Sequence, residues 1–173
     1  MTNNIRLRLL SNNETDYKLL HKWYFNPKVY KYFEQRTPTY QEIVEKYSKR
    51  SSLTSITPVY IIEYNNIPVG IIQYTKLTNK EKKTYNIIKD GYEIDIFIGE
   101  DDYYHKGIGS NAIKLLIDKL KQNNTIFVMA PEMENINAIK CYEKVGFKQI
   151  NTFKEPNTIG IIKDKIVMIH DKW

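Results

Sequence analysis

A strand, a helix and a second strand follow one another between Gly91 and Ala130, and this succession limits the available folds more than any other part of the chain. Gly91 to Gly99 is β-rich. Gly107 to Gln122 carries Ile108, Ala112, Leu115, Leu116 and Leu120 at helical spacing. Thr125 to Ala130 is a short apolar run closed by Pro131. A strand–helix–strand crossover demands two parallel strands in one sheet. The remaining segments must arrange themselves around that pair.

Ile5 to Leu9 alternates with period two and reads as a strand. Ser11-Asn12-Asn13-Glu14 has the capping-box pattern and predicts a helix to about Phe25. Asn26-Pro27 predicts a short second helix, and Thr39 with Glu42 a third, ending near Lys49. Pro58–Tyr64 and Ile67–Lys76 are β-rich and separated by Asn65-Asn66, a hairpin signal. Leu77 to Asp90 reads as a polar loop. Asn135 to Val145 is a helix stopped by Gly146, and Phe147–Phe153 and Ile159–Ile169 are closing strands. The expectation is an α/β fold in one domain, residues 1–173, with a mixed, mostly antiparallel sheet flanked by helices.

Composition excludes several classes. No apolar run approaches the roughly 18 residues of a membrane span. The start, Met1 to Arg8, lacks an apolar secretory segment, and Cys141 is the one cysteine, so a cytoplasmic protein without membrane attachment is expected. With His21, His105 and His170 as the only histidines, no metal site is expected. The formal net charge is +6. That excess fits an acidic partner or simply a Lys-rich coding bias. A nucleic-acid module would interleave Lys with aromatics on one surface, whereas these lysines are scattered, so no nucleic-acid partner is expected.

Gly107-Ile108-Gly109-Ser110-Asn111-Ala112 is a glycine-pinched helix start, a place where backbone N–H groups and the helix dipole favour a pyrophosphate. Lys106 adds a full charge. A dinucleotide fingerprint would begin directly after the strand, yet Glu100 to Lys106 intervene here.

Tyr104-His105-Lys106-Gly107-Ile108-Gly109-Ser110, followed by Asn135-Ile136-Asn137-Ala138-Ile139-Lys140-Cys141-Tyr142-Glu143-Lys144-Val145-Gly146-Phe147, resembles the GCN5-related N-acetyltransferase superfamily. Its acyl-CoA loop reads Gln/Arg-x-x-Gly-x-Gly/Ala, and its later helix Asn-x-x-Ala-Ile-x-x-Tyr-x-Lys-x-Gly-Phe. The second pattern is matched throughout; in the first, Tyr104 takes the Gln/Arg position. From about Leu19 to Phe147 the chain is similar to aminoglycoside 6′-N-acetyltransferases, with Ile96 where those enzymes carry Gln and Ala130-Pro131 where they carry Asp-Pro. Glu132, close by, is the candidate replacement for the missing acid.

The resemblance implies acetyl-CoA as co-substrate and a small cationic acceptor, an aminoglycoside, with a protein N-terminal amine or a small polyamine as the alternative. It implies that amides of His105, Lys106, Gly107, Ile108, Gly109 and Ser110 hold the pyrophosphate. Asn135 and backbone groups of Phe97 and Ile98 would hold the pantetheine arm. Asp95 would bind the acceptor ammonium and serve as general base, and Tyr142, also in contact with the cofactor, would protonate the thiolate. Trp23, Phe33, Tyr47, Gln73 and Glu155 are the further acceptor candidates, from position matching. Glu93, Asp95, Glu100, Asp101 and Asp102 lie within residues 91–102, where no Lys or Arg occurs, a local reversal of sign suited to a cation. Monomer and homodimer are both left open.

Overall fold

The computed structural model describes residues 4–122 and 124–171, so the first three residues of the start, where no secretory segment is expected, lie outside the described residues. One seven-stranded sheet has the order β1-β2-β3-β4-β5-β7-β6. In chain order the strands are β1 Ile5–Leu9, β2 Val59–Tyr64, β3 Ile67–Lys76, β4 Gly91–Ile98, β5 Ile126–Met129, β6 Lys148–Pro156 and β7 Ile162–His170. The β4–β5 pair is parallel and the other pairs are antiparallel, the mixed sheet expected from the crossover. The helices are α1 Glu14–Tyr24, α2 Pro27–Tyr30, α3 Tyr40–Tyr47, α4 Asn79–Tyr85, α5 Ile108–Leu120 and α6 Ile136–Val145.

Local chemistry explains most element ends. Asn65 and Asn66 have φ of 51° and 66°, which is what a two-residue hairpin turn needs to match strand twist. Thr39 and Glu42 close a reciprocal capping box on α3. The cap of α1 differs from expectation: Asn13, two residues after Ser11, accepts the Asp16 N–H. Asp16 is then free to accept the Ser11 N–H at 2.8 Å and a two-pronged contact from Arg8 at 2.8 and 2.9 Å, and this ties β1 to the helix start.

The polar stretch 77–90 contains a helix, α4, which corrects the loop expectation. A Thr78–Glu81 capping box starts it and Asn86, at φ 57°, ends it. It buries only Tyr85, so no apolar periodicity marked it.

Strand alternation sends side chains to two cores. Ile62, Ile72, Ile94 and Phe127 pack with Ile113, Leu116, Tyr142 and Val145 of α5 and α6. On the other face Ile61, Ile71 and Phe97 pack with Leu20, Trp23, Tyr24 and Tyr47 of α1 and α3. A smaller cluster of Leu77, Tyr85, Ile126, Val128 and Val167 sits beyond it. Asp95 faces the side of α1 and α3, in the interval between these last two clusters.

Candidate active site

The sheet opens in the middle. β4 keeps β3 as partner through Ile98, but keeps β5 only from Gly91 to Glu93. Backbone direction along β4 follows from two bonds. The Gly99 N–H donates to Val69 on the β3 side, and the Asp90 carbonyl accepts from Ile126 on the β5 side. Polar groups alternate along a strand, so odd-numbered residues address β3 and even-numbered ones address the opening. Ile96 and Ile98 therefore present their N–H groups where β5 has departed. Phe97 does not: its backbone faces β3 and its ring lies in the second core, 4.8 Å from Phe33. That corrects the pairing of Phe97 with a ligand arm. The Ile98 carbonyl is taken by the Tyr104 hydroxyl at 2.6 Å, so the residue at the Gln/Arg position buttresses the strand end.

At the same end lies the start of α5. Gly107 is its N-cap with φ of 74°, and His105 is also left-handed at φ 59°. Among the described residues no side chain caps the helix. The Asn111 side chain and Ser110 hydroxyl both donate to the Gly107 carbonyl, at 3.0 and 2.9 Å, which fixes the turn without consuming the first amides. Ile108, Gly109 and Ser110 thus keep N–H groups for an anion. Exposed Lys106 lies over the Tyr103 ring at 5.0 Å. Cys141 packs against Gly109 from α6, and burial pushes its thiol up.

Asp95 and Gln73 are cross-strand partners, and the Gln73 amide donates to Asp95 Oδ2 at 3.0 Å. Arg50 donates to Gln73 Oε1 at 3.1 Å from behind. Glu93 lies on the same face as Asp95 and accepts from the Tyr85 hydroxyl at 2.9 Å. Burial first, and Asp95 second, push the Glu93 carboxyl up to about 8. Such a carboxyl holds a proton at neutral pH and gives it up when a cation arrives beside it. Tyr142, on α6, is buried, and its hydroxyl forms no hydrogen bond among the described residues. Burial, with smaller contributions from Cys141 and Asp95, holds its phenol well above the usual range, so it stays neutral and able to donate.

The other acceptor candidates are dispersed. Trp23 is 0% exposed and packs on Gly99, donating to Glu100 at 2.8 Å. It is a core residue, beyond an acceptor's reach. Tyr47 is likewise fully buried, with its hydroxyl against that of Tyr24. Phe33 is half-buried against Phe97 and Tyr24. Glu155 lies exposed on β6, paired with Lys165 at 3.0 Å. Asn135 caps α6 through its Oδ1, leaving its side-chain NH₂ available. Glu132 accepts from Gln35 at 3.2 Å and sits 3.5 Å from Lys163. The acidic run also divides: Glu100 pairs with Lys22 and Asp101 with Lys28, Asp102 is exposed, and Glu93 and Asp95 share one face of β4. Arg50 and Tyr85 were absent from the sequence reading. No local pattern marks Arg50, whereas the Thr78–Glu81 box is a local signal that places Tyr85 on a helix.

A backbone edge without a partner strand beside a helix start rich in free amides fits a ligand with an extended amide-bearing arm and a diphosphate. Residues 12–154 match the family described as an acetyltransferase (GNAT) domain. The chain belongs to this family. It is an acetyl-CoA-dependent N-acetyltransferase. It is 27% identical over 160 residues to the aminoglycoside N(6′)-acetyltransferase type 1 of Klebsiella pneumoniae, covering 88% of this chain and 78% of that one. It is 28% identical over 95 residues to N-alpha-acetyltransferase 30 of Dictyostelium discoideum, covering 54% of this chain and 51% of that one. The crystal structure of the aminoglycoside acetyltransferase AAC(6′)-Ib with coenzyme A and kanamycin shares the fold, with a TM-score of 0.79 at 21% identity. That match covers 98% of this chain and 95% of the other. Among the described residues of this GNAT chain, no helix is long and apolar enough to cross a membrane.

Proposed function

We propose that this GNAT enzyme acetylates the 6′ primary amine of an aminoglycoside and so serves antibiotic resistance. The observation that carries the reading is Asp95, a carboxylate without a direct cationic partner among the described residues, held by Gln73 beside the opening between β4 and β5. The relationship to the Klebsiella enzyme supports it, as does the shared fold with a kanamycin-bound acetyltransferase.

An alkyl ammonium with a pKa of about 10 is almost wholly protonated at neutral pH and has no lone pair for attack. Asp95 binds it and takes its proton, directly or through one water. Glu93, two residues along the same strand face, supplies a second carboxyl for an acceptor with several amines. Bound acetyl-CoA supplies the acetyl thioester. Ile96 and Ile98 hold the donor arm as an added strand and polarise its carbonyl. Asn135 contacts the same arm, and the amides from Ile108 to Ser110 hold the diphosphate. Tyr142 donates its hydroxyl proton toward the departing sulfur.

The N-alpha-acetyltransferase relationship favours a second reading, a protein N-terminus as acceptor. Calorimetric titration with a panel of aminoglycosides, in the presence of coenzyme A, separates the two. Saturable heat with several members is expected. No heat with any of them, alongside turnover of N-terminal peptides, would overturn the antibiotic reading.

A further inference from the structure

We propose that Arg50 is a positioning residue for the acceptor, acting through Gln73 to hold the Asp95 carboxylate in place. The inference rests on the reading that Asp95 binds the acceptor ammonium.

A guanidinium can only donate, so the Gln73 atom 3.1 Å from Arg50 is its carbonyl oxygen. The amide nitrogen must then face Asp95, where the 3.0 Å contact to Oδ2 lies. Arg50 thus fixes which way round the amide sits, and the amide fixes the carboxylate. Gln73 is 6% exposed, and a flipped amide would set its nitrogen against the guanidinium and its oxygen against the carboxylate, leaving both contacts unmatched. Arg50 is itself held. It ends the 3-10 turn Ser48–Arg50 that continues α3, and its guanidinium lies 5.7 Å from the centre of the buried Tyr47 ring. The turn is braced by the Ser51 hydroxyl on the Ser48 carbonyl at 2.9 Å and by Ser55 on Lys49 at 2.7 Å.

The neutral amide between the two charges explains why Asp95 stays available. Asp16 and Glu63 pair directly with arginines through both oxygens, and Glu100 with Lys22 through one. A guanidinium placed directly on Asp95 would fork across both oxygens and compete with any incoming ammonium. With Gln73 interposed, one oxygen is anchored. Oδ1 has no hydrogen-bond partner among the described residues and is left for the acceptor ammonium.

The test is steady-state kinetics with kanamycin and, separately, spermidine as acceptors. Arg50→Met is expected to raise the KM for the acceptor about tenfold, with the KM for acetyl-CoA unchanged. Arg50→Lys, whose ammonium can donate to the same oxygen, should restore most of the loss. In a Gln73→Leu background, Arg50→Met should add nothing. Arg50→Leu serves in place of Arg50→Met if the latter folds poorly. A rise in both KM values, or equal losses in the Met and Lys variants, would reduce Arg50 to a structural residue and overturn the proposal. If Asp95→Asn raises the acceptor KM but Arg50→Met leaves it within twofold, the relay is wrong while the acceptor reading stands. If Asp95→Asn also changes nothing, or neither amine is acetylated by the unaltered enzyme, the acceptor reading fails and the relay falls with it.

Discussion

Gln73 and Asp95 occupy directly paired positions on neighbouring antiparallel strands, and the amide of one donates to the carboxylate of the other at 3.0 Å. The pair sits at the level where β4 has just lost its other neighbour. A buried amide and a carboxylate are therefore locked together beside an unoccupied backbone edge, where a donor arm and an amine acceptor can meet.

Replacing Asp95 tests the acceptor half of the chemistry. Asp95→Asn keeps the size and can still accept from Gln73, but removes the charge and the base. Its kcat/KM for an aminoglycoside should fall by about 10²-fold or more, while calorimetry shows coenzyme A binding unchanged. Near-normal turnover would remove Asp95 from the mechanism.

Tyr142→Phe keeps the ring packed against Phe147 and removes only the hydroxyl. The chemical step, followed by single-turnover mixing, should slow by about 10²-fold if the phenol protonates the departing sulfur. An unchanged rate would assign that proton to water.

The raised Glu93 pKa has a sign that can be checked. Between the ordinary value of 4.5 and about 8, the folded chain holds a proton that the unfolded chain has lost. Stability contributed by this group therefore falls as pH rises through that window. Asp95 on its own strand, Tyr85 and Glu81 on α4 and Lys165 on β7 are the charged or titratable groups acting on it. Glu93→Gln keeps an acceptor for Tyr85 and removes the titration. Its Tm should exceed the parent's near pH 9 and lose that advantage toward pH 5. Parallel Tm curves across the range would contradict the assignment.

Gly99→Ala tests how the end of β4 is seated. An added Cβ would lie 2.2 Å from Cγ of Trp23, and that indole is fully buried. Overpacking of this kind costs about 1–3 kcal/mol, readable as a lower urea midpoint with an unchanged slope. An unchanged midpoint would mean that the indole can shift.

The readable parts of this chain were those where a few adjacent residues decide the outcome. Asn65-Asn66, Asn26-Pro27 and Thr39 with Glu42 each carry their own turn or cap chemistry, and the crossover followed from the apolar pattern of residues 91–130. Where two local solutions competed, the tertiary partner chose. Asn13 caps α1 in place of Ser11 because Asp16 is drawn to Arg8 and the Ser11 amide. α4 stayed hidden because a helix that buries one side chain leaves no stripe.

The site divided in the same way. Alternation along β4 put Glu93 and Asp95 on one face, and the glycines marked the start of α5. Matching positions to relatives could not tell a lining aromatic from a packed one. Trp23 turns inward because Gly99 leaves room for its indole, a fact settled 76 residues away in the sequence. Phe97 departs from expectation because backbone direction depends on which neighbour its strand keeps. Arg50 reaches Gln73 across 23 positions of chain, and no spacing rule announces such a contact.

The most direct measurement is a crystal structure of the enzyme soaked with kanamycin and coenzyme A, read at Asp95. The account predicts an acceptor amine nitrogen within about 3 Å of Asp95 Oδ1, next to the coenzyme's sulfur. An aminoglycoside bound elsewhere, with water alone at Asp95, would contradict it.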